Sequence, residues 1–131
     1  LKQTQRYFFG KESKLKSRKL IQQVFTEGKA FSVFPLKVVW LPHNPSQHLQ
    51  AGVSVSSRFF KKAVDRNSIK RLIREAYRLN KNHLEASLIQ HDKHLSFFII
   101  YNAKEALDFA VINECCKKII NRLIKETNGA H

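Results

Sequence analysis

One segment, DRNSIKRLIREAYRLNK from Asp65 to Lys81, restricts the fold more than any other. At ~100° per residue its apolar side chains Ile69, Leu72, Ile73, Ala76 and Tyr77 share one sector of a helix. Asn67, Lys70, Arg71, Arg74, Arg78 and Lys81 fill an adjoining sector, with Arg66 near the boundary and Glu75 at the edge. Such a helix must lie at the surface, one side packed on a core and the other cationic. A solvated face normally mixes signs, because like charges at i,i+4 repel by roughly a few tenths of a kcal/mol. Here Arg66, Lys70, Arg74 and Arg78 form a one-signed row. Arg outnumbers Lys in it, and the planar guanidinium fork grips phosphate oxygens in pairs. Glu75 is placed to pair with Arg71 or Arg78 and fix their rotamers.

The whole-chain charge is concentrated in the same way. The 131 residues carry 24 Lys and Arg against 10 Asp and Glu, a net +14. Residues 1–29 contribute +6, residues 58–81 contribute +7, and all the rest only +1. Clustered positive charge is the footprint of a polyanionic partner, nucleic acid before all others. An anionic membrane surface fits less well, because no basic helix here has a large apolar face to insert. No run approaches ~18 apolar residues, so no membrane span is expected. The basic N-terminus has no apolar h-region or small-residue cleavage site, unlike a secretory signal, and no initiator Met is present, so the true start is unseen.

The remaining elements follow from local pattern. Residues 1–13 read as a basic arm, 14–127 as one α+β domain, and 128–131 as a tail. Ser17 is a candidate cap for a helix to about Glu27, with the stripe Leu20, Ile21, Val24, Phe25 and a left-handed stop at Gly28. Phe34–Leu41 and Leu49–Ser56 read as strands, expected to pair antiparallel across the turn cluster at Pro42, His43, Asn44, Pro45 and Ser46. LSFFIIY, Leu95 to Tyr101, reads as a buried strand. Asp108 is a candidate cap for a last helix to about Lys125, with Phe109, Ile112, Cys116, Ile119, Leu123 and Ile124 as core. The order is helix, strand, strand, helix, strand, helix, with helices packed on a small mixed sheet.

Catalytic patterns are missing. Cys115 and Cys116 are adjacent, which suits neither a disulfide framework nor zinc-ligand spacing; buried free thiols in reducing, cytoplasmic surroundings fit them. The six His are scattered, and His91 and His94 read as polar loop residues. With ten dispersed carboxylates and four Gly, there is neither a metal-holding acidic cluster nor a Gly-rich phosphate loop.

GVSVSSRFFKKAVDRNSIKRLIREAYR resembles the signature region of the bacterial ribonuclease P protein subunit. The core of the match is Arg66-Asn67-x-x-Lys70-Arg71-x-x-Arg74-Glu75, the family's "RNR" helix, entered from a Gly-Val-Ser-Val-Ser strand. SRKLIQQVFTEGKAF resembles the family's first helix, and LSFFIIYNAKEA its last strand and following loop. The likeness spans roughly residues 14 to 125. Two departures stand out. Ser68 occupies the place of the second Arg of "RNR". The turn SRFFKK lacks a common Gly and is one residue longer, so a local difference before the RNR helix is expected.

The resemblance implies a left-handed βαβ crossover, against the usual hand. It implies two RNA partners, the catalytic ribonuclease P RNA and precursor tRNA, with no membrane and no obligate protein partner. The activity implied is Mg²⁺-dependent removal of the tRNA 5′ leader, with catalysis by the RNA, magnesium held mainly by that RNA, and no catalytic residue in this chain. Arg66, Asn67, Lys70, Arg71, Arg74, Arg78, Lys61 and Lys62 are the implied contacts to the catalytic RNA. The leader cleft is implied at Ile21, Phe25, Lys37, Val39 and Ser54. Strand parity supports that placement: Leu36, Val38 and Trp40 make one apolar face, leaving Lys37, Val39 and Leu41 on the other. Gly52, Ser54 and Ser56 are small and leave room above the sheet. Ile21 and Phe25 also fit a core position by their apolar type. Two rival functions share the composition: a ribosomal or assembly protein without a ribozyme partner, and a protein-only nuclease.

Overall fold

The strand LSFFIIY organises the molecule from its middle. In the computed structural model, which describes residues 18–42 and 49–127 (18–20 by backbone alone), it is β4, Leu95–Tyr101. The full order is α1 (Arg18–Glu27), β1 (Lys29–Val33), β2 (Leu36–Pro42), β3 (Leu49–Val55), α2 (Ala63–Gln90), β4 and α3 (Phe109–Thr127). The sheet order is β1-β2-β4-β3, with β3 parallel to β4 and the other pairs antiparallel. The expected arm, the Ser17 cap, the turn at 43–46, the tail and the Leu20 side chain lie outside the described residues.

Four expectations are corrected. First, β2 and β3 do not pair; β4 lies between them, with Val38 opposite Ile99 and Val53 beside Ile99. The most apolar strand takes the position flanked on both edges. The parallel β3–β4 pair then needs a long crossover, which α2 supplies. Second, the strand expected from Phe34 begins at Leu36 and is preceded by another, β1. Only Phe31 of β1 is buried, so its sequence has no alternating signal. Phe34 and Pro35 form the turn between them. Third, α2 runs on to Gln90, 28 residues in all. Its charged face ends near Lys81, but the core period continues through Leu84 and Leu88. Fourth, Gly28 does not adopt the left-handed conformation. A Cβ there would lie 2.3 Å from the Val24 carbonyl oxygen and 2.6 Å from that of Trp40. Glycine is required by the close approach of α1 to β2.

α2 and α3 cover one sheet face, made by Leu36, Val38, Trp40, Ala51, Phe97 and Ile99. Tyr77 of α2 meets Phe97 edge-on at 5.6 Å. The Asp108 carboxylate accepts the Val111 N–H at 3.2 Å, capping α3 as its sequence predicts. Cys115 and Cys116 are both buried in this layer. Burial pushes the Cys116 thiol up to about 12, with the neighbouring Cys115 adding to the shift. The Cys115 thiol is bonded to the Val33 carbonyl at 2.8 Å. Among the described residues, the opposite sheet face receives only the ten-residue α1, anchored by Val24 on Val39.

Candidate nucleic-acid interface

The cationic surface begins before α2. After β3 the chain turns through SRFFKK, where Ser56 Oγ accepts the Arg58 N–H at 3.0 Å. Phe60 packs inward, edge-on to Tyr101 at 5.8 Å, while Phe59 turns outward. Arg66 then reaches back, donating from one guanidinium nitrogen to the carbonyls of Phe60 and Lys61, both at 2.8 Å. The first Arg of the motif thus fastens the turn to the first helical turn.

Along the helix, Asn67, Arg71 and Arg74 are exposed and Lys70 is half-buried, as are Arg66 and Arg78. Lys61 and Lys62 are exposed just ahead of them. Glu75 selects Arg78, accepting its Nε at 3.1 Å and a terminal nitrogen as well. Among the described residues, Lys70, Arg71 and Arg74 make no ion pair. Lys81 leaves the face. It is 6 % exposed and pairs with Glu85, one turn further along α2, at 3.3 Å. Ser68 is exposed. The result is a row with ~6 Å axial steps and no acidic side chain in its first half beyond Asp65.

The second surface is the sheet face that α1 covers only in part. The strand register lays out two rows across it: Lys37, Ile100, Ser54 and Val39, Phe98, Gly52. Lys37 is exposed and Ser54 half-exposed, while Val39 is sealed beneath Val24 and holds the helix down. Ile21 is half-buried beside this contact. Phe25 is 47 % exposed and lies 5.2 Å from the Phe98 ring at 42°. The exposure favours a surface position for Phe25 over a core one. A Cβ on Gly52 would stand 2.7 Å from Phe98, so the room left by that glycine is taken up by this ring. Phe98 and Ile100 are members of the surface that sequence reasoning missed. Their parity with Lys37 across β2–β4 would have identified them, but only once the register was known.

An α+β layer with one cationic helix face and one incompletely covered sheet face defines the class. The family model for ribonuclease P matches residues 9–124. A ribonuclease P protein component from Porphyromonas gingivalis is 38 % identical over 117 residues, covering 86 % of this chain and 84 % of that one. The ribonuclease P protein of Thermotoga maritima superposes with TM-score 0.66 at 26 % identity, covering 83 % of this chain and 96 % of the other. That of Staphylococcus aureus shares the fold, with TM-score 0.69 at 22 % identity over 86 % of this chain and 96 % of that one. The chain belongs to the bacterial ribonuclease P protein family, the protein subunits of the endoribonuclease that processes tRNA 5′ ends. Membership removes the ribosomal-protein reading.

Proposed function

We infer that this subunit binds ribonuclease P RNA through the α2 face and the 5′ leader of precursor tRNA on the open sheet face. The observation carrying the first half is the set Lys70, Arg71 and Arg74, presented on a rigid helix without carboxylate partners among the described residues. Such a one-signed row is stabilised by RNA phosphates through charge-assisted bonds and counterion release. Lys61, Lys62, Arg66, Asn67 and Arg78 extend the same surface. Arg66 acts chiefly by fixing the turn, and Arg78 is oriented by Glu75.

For the leader, Phe25 and Phe98 offer π-faces that accept any base, and Lys37 stands beside them for a phosphate. Ile21 and Ser54 border the surface and Val39 forms its floor. Among the described residues, no three His, Cys, Asp or Glu side chains come together to hold a metal ion. We assign magnesium and bond cleavage to the RNA. No described helix is long and apolar enough to cross a membrane.

Reconstitution with a ribonuclease P RNA tests the reading. The full chain should promote 5′ cleavage at low Mg²⁺ and cleave nothing alone. Arg71→Ala should weaken assembly while leaving the melting temperature unchanged, because its side chain is exposed. Each lost phosphate contact should flatten the log K against log salt slope by about 0.9 at most. Unchanged RNA affinity in a folded Arg71→Ala protein would refute the assignment of this face.

A further inference from the structure

Beside the start of the cationic surface, two phenylalanines stand exposed with no core role. Phe34, at the tip of the β1–β2 turn, is 73 % exposed, and Phe59, in the SRFFKK turn, is 38 % exposed. They line one groove of about 420 Å³, with Ala103 and Leu107 also in its lining. Three tethers hold its shape. The Asn102 N–H donates to the Pro35 carbonyl at 2.7 Å, securing the Phe34 turn to the segment after β4. The Tyr101 hydroxyl donates to the Glu105 carbonyl and accepts the Leu107 N–H at 3.0 Å, fixing the loop 102–107. Phe60 packs on that same Tyr101 and so places its neighbour Phe59.

The surroundings are cationic. Arg58, Lys61 and Lys62 flank Phe59 in its turn and Lys104 lines the groove, while Glu105 lines it too and Glu114, with Lys118, lies on the other side of Phe34. A dry apolar partner would have to desolvate these charges. A second copy of a chain carrying +14 would be repelled. A nucleotide satisfies both parts of the site, with its base against the rings and its phosphate among the cations. Arg66 ties this turn directly to the first turn of α2, so the groove rim and the RNR face form one continuous rigid surface.

We propose that the Phe34–Phe59 groove captures an unstacked nucleotide of ribonuclease P RNA, beyond the phosphates held by α2. The proposal rests on the assignment of α2 to that RNA. It uses the one phenylalanine of SRFFKK and the one of the hairpin turn that the core does not need.

The test measures binding of the full chain to ribonuclease P RNA, and separately of the holoenzyme to precursor and mature tRNA. Phe34→Ala and Phe59→Ala should each weaken RNA assembly about tenfold, within the range of a lost stacking contact. Phe34→Leu and Phe59→Leu should be equally weak, since they keep apolar bulk but no π-face, whereas Phe34→Tyr and Phe59→Tyr should bind like the parent. The salt slope should stay at the parent value in all of these, in contrast to Arg71→Ala. Equal RNA affinity of parent and Ala variants overturns the proposal. So does full activity of the Leu variants, which would leave only apolar contact. A loss confined to precursor tRNA would make the leader the occupant, and a parent dimer broken by Phe34→Ala at unchanged RNA affinity would make it a second copy; both overturn the proposal. If the parent binds no ribonuclease P RNA at all, the failure belongs to the assignment of α2.

Discussion

The two faces of the sheet come from the same four strands and meet opposite fates. Toward α2 and α3, Val38, Phe97 and Ile99 are wholly buried. Toward α1, Val24 and Ser96 are wholly buried and Val39 nearly so, while Phe98, Ile100, Ile21 and Leu41 are partly covered. The difference is one of helix length. Twenty-eight and nineteen residues cover the first face, ten the second. An α-helix rises ~1.5 Å per residue, so α1 spans only ~15 Å. Stability is concentrated on one side of the sheet, and the other is left with apolar surface that a ligand can use.

Substitutions of matched chemistry on the two faces should separate these roles. Phe97→Ala, on the sealed face, should cost ~3–5 kcal/mol in denaturant titrations. Phe25→Ala, on the open face, should cost no more than about 1 kcal/mol of stability. It should instead weaken precursor tRNA binding by ~1–3 kcal/mol while mature tRNA binding holds. Equal melting losses for the two would erase the distinction between the faces. Gly52→Ala probes the boundary. Its methyl would displace the Phe98 ring, with an expected strain of ~1–3 kcal/mol. It should also reduce leader affinity with the catalytic-RNA affinity unchanged, and loss of both affinities would contradict the division of labour.

The smallest effect is expected from Cys116, which reports the sealed side. Its folded thiol sits at about 12 against an ordinary 9.0. Below pH 9 both folded and unfolded thiols are protonated and contribute no pH dependence. Above it the unfolded chain loses the proton first, so stability should fall from pH 9 toward 12. In Cys116→Ala that decline should be shallower. Parallel curves for parent and variant would mean that water reaches this layer.

What could be read in advance was whatever depends on local period or charge. The faces of α2, the parity of β2 and the Asp108 cap all follow from neighbours within four residues. What could not be read depends on partners distant in sequence. Nothing in Leu36–Pro42 announces that its neighbour is β4 and not β3. A seven-residue apolar run cannot say which of its side chains a short helix will leave uncovered, so Phe98 looked like core. β1 offered one buried residue in five. Lys81 has the right angular position for the cationic row, but its side chain is buried and paired with Glu85 one turn on. Phe25 was ambiguous by residue type, and its exposure depends on where α1 ends against the sheet.

The placement of β4 between strands that precede it also sets an order of events during synthesis. The β1–β2 hairpin and α2 rely on contacts near in sequence, and such elements form early. β3 has no strand partner among the described residues until Leu95–Tyr101 has left the ribosome, some forty residues later by sequence position. Until then the apolar sides of β2, β3 and α2 have no common floor, and a nascent chain in this interval exposes sticky surface. Its most strongly charged helix is complete by that time. Positive charge on α2 would keep such chains apart, and an RNA already bound to it would hold the helix ready for the strand that closes the sheet.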